Sequence, residues 1–156
     1  MPIDFLPRDQ ELMQAAMEEA HAAEAAGEVP VGAIVVSSAG EVIARGRNRV
    51  LQDSDPTAHA EIVALRSAGS ALGNYRLLGC TLYSTLEPCS MCAGAILHAR
   101  LARLVYAAAD PKAGACGSVI AVMNHPSLNH RVELVEGVLA DECGKMLTDF
   151  FRSKRT

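Results

Sequence analysis

Two short motifs in this 156-residue chain bring together residue types that bind a metal and transfer protons. His59 and Glu61 form a His-x-Glu motif, and Cys89 and Cys92 form a Pro-Cys-x-x-Cys motif further along. One imidazole and two thiolates are three of the four ligands of a tetrahedral zinc, and a catalytic zinc keeps the fourth position for a water. Glu61 is not needed as a ligand and lies close enough to the metal to handle protons. We predict one catalytic zinc per chain.

The cysteine motif taken alone is less specific. A lone Cys-x-x-Cys suits a redox pair, half of a structural zinc site, or two buried thiols. A redox pair needs no upstream His-x-Glu, and a closed structural site needs a fourth Cys or His at short spacing. Only His125 and His130 have the spacing of a zinc-binding histidine pair, and they lie in a Pro- and Asn-rich segment without a nearby cysteine. The complete two-part motif therefore favours a catalytic site.

The elements that position these residues are predicted from hydrophobic spacing. Helices are predicted over 9–26, over the segment carrying His59, over 89–98 and over 139–152, and strands over 31–36, 41–47, 81–85, 103–108 and 132–135. The first two strands form a predicted hairpin, and the strand–helix–strand unit that follows implies parallel pairing. This order predicts an α/β fold, a three-layer α/β/α sandwich around a mixed five-stranded sheet. The length predicts a single domain over 1–156.

Both halves of the metal motif fall at the starts of predicted helices. Cys89 and Cys92 are three residues apart on one helical face, so both sulfurs can reach one metal. The positive end of the helix favours the thiolate form. His59 can meet them if the two helices lie side by side at the carboxyl ends of the strands, where α/β sheets place their sites.

The composition bears on location and partners. The longest apolar run, 29–36, is interrupted by Pro30 and Gly32 and is too short to cross a bilayer, and the first residues lack the pattern of a signal peptide. Five cysteines, an odd number with two assigned to metal, indicate a reducing compartment. We predict a cytoplasmic protein without a membrane partner.

Charge leaves the question of a nucleic-acid partner open. The net charge is −4, which argues against RNA, but residues 1–30 carry seven acids and one base. The remainder carries thirteen bases and eleven acids, with basic residues grouped at 45–49 and 152–155. Such groups usually belong to a solvated surface of mixed charge, although RNA binding needs the same residues.

The two-part motif is the pattern of zinc-dependent nucleobase deaminases. Beyond it, residues 8–155 resemble the bacterial tRNA-specific adenosine deaminases of the cytidine-deaminase-like superfamily. The matching positions are Asn48 and the stretches 29–34, 55–62, 74–77, 81–95, 110–118, 129–133, 139–143 and 150–152. Cytosine, deoxycytidylate and guanine deaminases share the zinc motif, so the stretches 129–133 and 150–152 favour the tRNA enzymes.

This resemblance implies hydrolytic deamination of adenosine to inosine at the wobble position of a tRNA anticodon. Glu61 would take a proton from the attacking water and deliver protons to the ring and to the departing ammonia. The resemblance also implies a homodimer and contacts with the anticodon stem-loop.

The substrate contacts that the resemblance implies come from both ends of the chain. Asn48 would contact the nucleoside, Asp110 would lie near the target ribose, and Arg152 would contact the anticodon loop together with Lys154 and Arg155. Phe151 is the better candidate for RNA contact of the two phenylalanines, because Phe150 shares the apolar helix face. Both Asn48 and Asp110 can alternatively be ordinary turn residues.

Two other functions stay open at this point. A small-molecule deaminase acting on guanine or cytosine would need no RNA-facing basic residues. A non-catalytic, zinc-stabilised RNA-binding module would have no use for the carboxylate of Glu61.

Overall fold

The helices and strands follow one another in the predicted order. The computed structural model describes residues 6–154. The helices within this range are α1 Pro7–Ala25, α2 Ala60–Leu72, α3 Ser90–His98 and α4 Ala140–Lys154, and the strands are β1 Gly32–Val36, β2 Val42–Arg47, β3 Thr81–Leu86, β4 Arg103–Ala108 and β5 Glu133–Glu136. Where bounds were predicted, they differ from the observed ones by at most two residues. None of these helices is long and apolar enough to cross a membrane.

The strands form one mixed sheet in the order β2-β1-β3-β4-β5. Strand β1 pairs antiparallel with both β2 and β3, whereas β3, β4 and β5 pair in parallel. The predicted hairpin and the predicted parallel unit are both confirmed. All strands except β1 therefore point the same way, and the segments that follow them leave from one edge of the sheet.

Successive side chains of the central strands belong to two separate cores. Ala33 and Val35 pack with residues of α2 and α3, whereas Ile34 and Val36 pack with residues of α1 and α4. This alternation is the two-residue period of a strand that is covered on both faces. The predicted three-layer α/β/α sandwich is confirmed.

Gly46 allows α2 to pack unusually close to β2. A Cβ atom at this position would lie 2.5 Å from both the carbonyl oxygen of Ala60 and the backbone nitrogen of Ala64. Any larger residue would push the first turn of α2 away from the sheet, because that contact is with backbone rather than with a flexible side chain. The position of His59, which immediately precedes this turn, depends on the same close contact.

A buried ion pair ties α1 to the sheet. Asp9 is fully buried, and its carboxylate accepts hydrogen bonds from Arg103 on β4 at 2.7 and 2.8 Å and from the Tyr83 hydroxyl on β3 at 2.7 Å. Burial alone would raise the pKa of Asp9, but these hydrogen bonds outweigh it, and the pKa lies below its ordinary value of 3.8. The ionised carboxylate is therefore the form that stabilises the fold.

We predict that Asp9→Asn lowers the free energy of unfolding at neutral pH by about 3 kcal/mol, because it leaves the Arg103 charge without its main partner. Since the folded-state pKa is depressed, the contribution of Asp9 is complete above pH 3.8 and is lost as the pH falls through the folded pKa. Urea unfolding should show that the free energies of unfolding of the wild-type protein and the Asp9→Asn variant become similar as the pH is lowered. Asp149→Asn, which breaks the exposed Lys145–Asp149 pair, is the matched control and should change little. Equal effects of the two substitutions at pH 7 would contradict this assignment.

Candidate active site

The predicted metal ligands converge at the starts of two neighbouring helices. His59 immediately precedes α2, Cys89 immediately precedes α3, and Cys92 lies in the first turn of α3. The His59 Nδ1 atom lies 3.6 Å from the Cys89 sulfur and 3.4 Å from the Cys92 sulfur. Donor atoms of the three side chains all lie within 4.8 Å of one another.

These distances fit a tetrahedral metal site. A nitrogen at about 2.1 Å and a sulfur at about 2.3 Å from one ion, at a tetrahedral angle, are about 3.6 Å apart. Within residues 6–154, the group of mutually close metal-binding side chains comprises only His59, Cys89 and Cys92. The donor set therefore fills three vertices and leaves one for a non-protein ligand.

The cluster already favours a thiolate before any metal binds. A hydrogen bond from Cys92, and then one from His59, lowers the pKa of the Cys89 thiol to about 3. The hydrogen bond to Cys89, together with burial, raises the pKa of Cys92. Its hydrogen bond to Cys89 also raises the pKa of His59. These hydrogen bonds favour the thiolate form of Cys89, and a bound cation would displace the remaining protons of the cluster.

Glu61 lies in the first turn of α2, two residues after His59, and is only 4% exposed. Burial raises the pKa of its carboxyl to about 7. Proton exchange near neutrality is what general acid–base catalysis requires of such a group. The alternative role, a surface acid that stabilises a helix N-terminus, does not suit a buried side chain that lines a cleft.

A cleft of about 700 Å³ opens beside this cluster. Its wall includes His59, Glu61 and Cys89 from the two helix starts. All four residues that the sequence predicts to contact substrate line the same cleft, namely Asn48, Asp110, Phe151 and Arg152. Asn48 and Asp110 follow β2 and β4 and so lie at the same edge of the sheet, and the end of α4 brings Phe151 and Arg152 to the same cleft. Their roles toward a substrate stay predictions.

Asn48 and Asp110 also make the contacts of ordinary turn residues. The Asn48 side-chain oxygen accepts a hydrogen bond from the Val50 backbone at 3.1 Å. One oxygen of Asp110, Oδ1, accepts hydrogen bonds from the backbones of Lys112 and Ala113 at 3.0 and 3.2 Å. Turn formation and exposure to the cleft therefore coexist at both residues.

The end of α4 presents an aromatic and basic surface. Phe151 is 44% exposed, whereas Phe150 is half-buried, in agreement with the predicted difference between them. The rings of Phe150 and Phe151 meet edge to face, and the Lys154 ammonium lies over the Phe150 ring. Arg152 is exposed at the cleft, and Arg155 lies outside the residues that the structure describes.

Two buried carboxylates beside the cleft were not predicted from the sequence. Glu28 and Glu87 are each 1% exposed, and both accept hydrogen bonds from backbone N–H groups of loops. Glu28 binds the backbones of Leu51 and Gln52 at 3.0 and 2.7 Å. A signal was available for both, because Glu28 lies three residues before the predicted strand 31–36 and Glu87 lies two residues after the predicted strand 81–85.

Comparisons with known proteins agree with this site. A family profile described as MafB19-like deaminase matches residues 8–155. A tRNA-specific adenosine deaminase from Haemophilus influenzae is 52% identical over 94% of this chain and 85% of its own length. A solved structure from a study of A-to-I editing by tRNA:A34 deaminases at the wobble position of transfer RNA is 45% identical, with a TM-score of 0.84 over 88% of this chain and 99% of that one. A guanine deaminase from Nitrosomonas europaea is 26% identical, with a TM-score of 0.76 over 96% and 95%.

We predict that the purified protein holds one metal ion per chain and that Cys92→Ala removes it, because two remaining donors cannot hold a tetrahedral ion tightly. Elemental analysis of the dialysed protein measures the content. Cys80→Ala is the matched control, since Cys80 is also buried but lies outside the cluster, and it should keep the metal. Full metal content in the Cys92 variant would refute the ligand assignment.

Proposed function

The chain belongs to the tRNA-specific adenosine deaminases, and we propose that it converts adenosine to inosine at the wobble position of a tRNA anticodon, with zinc as its cofactor. One observation carries the proposal: a buried carboxyl whose pKa is near 7 lines the same cleft as an open set of one imidazole and two thiols. That combination activates a water and moves its protons, which is the chemistry of hydrolytic deamination.

We propose that His59, Cys89 and Cys92 hold the ion. Thiolate and imidazole ligands at tetrahedral spacing select zinc among the common divalent ions. Zinc bound there would supply a water acidified enough to act as a nucleophile at neutral pH.

Glu61 moves the protons in this proposal. Its carboxylate accepts a proton from the water that attacks C6 of adenine, and the resulting acid gives that proton to the ring. Glu61 then moves the second proton from the new hydroxyl on C6 to the amino group, the C6–N bond breaks, ammonia leaves, and the product is inosine. Burial raises the pKa of this carboxyl above that of an exposed glutamate, so it can act first as a base and then as an acid.

The shape and lining of the cleft fit a nucleotide that has left its stack. Asn48 and Asp110 offer amide and carboxylate groups, and Phe151 offers an exposed ring on which a base can stack. Arg152 adds a positive charge for the phosphate backbone. An anticodon loop already holds unpaired bases, so extracting one of them costs little.

The two rival functions make different demands on the same cleft. A guanine or cytosine deaminase would use the ion and Glu61 but not the exposed Phe151 and Arg152. A non-catalytic RNA-binding module would use Arg152 but not a buried, protonatable Glu61. Turnover of an anticodon stem-loop compared with turnover of free guanine, cytosine and adenosine separates the three.

We predict that Glu61→Gln lowers the rate of deamination by about 100-fold to 10,000-fold while retaining the metal, because it removes proton transfer but no ligand. Bulk tRNA is incubated with each protein and sequenced for adenosine-to-inosine changes, and elemental analysis is run on the same samples. Inosine should accumulate at anticodon wobble positions with the wild-type protein only.

Two results would count against this proposal. Near-normal turnover by the Glu61 variant, or loss of its metal, would remove the role assigned to Glu61. Faster turnover of free guanine or cytosine than of the stem-loop would overturn the tRNA substrate itself.

We also predict that replacing Arg152, Lys154 and Arg155 by Gln weakens binding of an anticodon stem-loop and flattens its salt dependence. Each lost phosphate contact should reduce the slope of log K against log salt by about 0.7, because fewer counterions are released. Binding titrations at several salt concentrations measure the slope, and turnover at saturating RNA should be retained. The control replaces Arg8, Arg76 and Arg100, which lie at the opposite edge of the sheet. Equal slopes in the two triple variants would exclude the α4 surface as an RNA contact.

The homodimer and the cytoplasmic location stay predictions. The family resemblance implies the dimer, and sedimentation of the purified protein would test it directly.

A further inference from the structure

Glu87 is a buried carboxylate that the deamination chemistry does not use. It directly follows β3, and both of its oxygens are occupied. Oε1 accepts hydrogen bonds from the Asp110 backbone at 3.0 Å and from the Ser118 hydroxyl. Oε2 accepts them from the backbones of Cys116 and Ser118 at 2.9 and 3.2 Å. Burial would raise the pKa of Glu87, but these bonds outweigh it and keep the pKa below its ordinary value.

All of these donors belong to one loop. Residues 110–118 follow β4, and the first four of them line the cleft. Glu87 binds this loop at its first residue, Asp110, and again near its far end, at Cys116 and Ser118. A single side chain thus binds the loop near both of its ends. Between these points, the Ala115 N–H donates to the Pro88 carbonyl at 2.9 Å and the Gly114 N–H donates to the Asp110 carbonyl at 3.0 Å.

The middle of the loop packs directly on the same carboxylate. A Cβ atom at Gly114 would overlap the carboxyl carbon and both oxygens of Glu87. The loop therefore wraps around the carboxylate, with hydrogen bonds on two sides and glycine on a third. Charge-assisted hydrogen bonds are stronger than neutral ones, so the ionised carboxylate is a stiff anchor.

We propose that Glu87 is a positioning residue that fixes loop 110–118 and so presents Asp110 to the substrate. It acts through Asp110, because its own oxygens are taken up by the loop. The contacts of Glu87 support its role in fixing the loop, and its effect on activity rests on the proposed function. A residue two positions before Cys89 could instead support that metal ligand, and the experiment separates the two roles.

Two variants disturb this anchor from opposite sides. Glu87→Gln keeps the size of the side chain but replaces one accepting oxygen by an amino group that faces donors. Gly114→Ala leaves the carboxylate intact and pushes the loop off it, far along the chain from Cys89. Gly69→Ala on α2 is the matched control, because a Cβ atom there meets only an ordinary contact.

Hydrogen exchange of the metal-loaded protein gives the first measurement. The amides of Asp110, Cys116 and Ser118 should lose protection by about tenfold or more in both variants, while amides of β3 and β4 and the metal content stay as in wild type. The control should match wild type throughout. Unchanged protection of the three loop amides, loss of protection across the sheet, or loss of metal in both variants would each overturn the proposal.

A double-mutant cycle with Asp110→Asn gives the second measurement. Glu87→Gln and Asp110→Asn should each lower kcat/KM on an anticodon stem-loop, by up to about 100-fold for a displaced contact. The double variant should be no slower than the slower single one, because both changes remove the same contact. If the fold-reductions in kcat/KM of the two single variants multiply in the double variant, Glu87 does not act through Asp110. If the wild-type protein itself fails to deaminate the stem-loop, the proposed function falls, whereas the exchange data still decide the role of Glu87.

Discussion

Three donor atoms from two helices must meet within a few ångströms, and the rest of the molecule is arranged around this requirement. The requirement is satisfied because β2 and β3 point in the same direction, so the segments that follow them start α2 and α3 at the same sheet edge. Gly46 then lets α2 approach the sheet closely enough for His59 to reach Cys89 and Cys92. The β1–β2 hairpin therefore also positions a metal ligand. It reverses the chain, so that β2 ends at the same sheet edge as β3 and His59 lies at that edge.

Buried carboxylates show how surroundings assign different roles to one chemical group. Asp9 faces a guanidinium and a hydroxyl, and Glu87 faces backbone donors, so hydrogen bonds keep both ionised despite their burial. Burial has the largest effect on Glu61, and it outweighs the hydrogen bonds from its own backbone and from Cys92, so the pKa of its carboxyl rises to about 7. The first two groups hold helices and loops in place, and the third is left able to exchange a proton. The distinction follows from whether hydrogen bonds or burial has the larger effect on each carboxyl.

The amino-acid sequence predicts most of the fold and the reactive centre, for reasons that lie in local chemistry. The two-part motif identifies the metal ligands by residue type and spacing. Hydrophobic spacing predicts both halves at the starts of helices, and the structure has His59 and Cys89 immediately before α2 and α3. The roles of Glu28 and Glu87 could not be predicted in the same way. Their partners are backbone N–H groups many residues away, and any residue type except proline supplies such a group. A pattern of side chains therefore says nothing about which loop a buried carboxylate will bind.

The contacts of Glu28 bear on how substrates are distinguished. This carboxylate holds the loop after β2, on the side of the cleft that carries Asn48, through the backbones of Leu51 and Gln52. Hydrogen bonds to a buried side chain hold this wall in place, so under the proposed function we expect it to change shape little when substrate binds. The RNA must then change shape to place a nucleotide in the cleft. The free energy needed for this change differs widely between RNA segments. Selection would act on the mechanical compliance of the RNA as well as on the identity of its base.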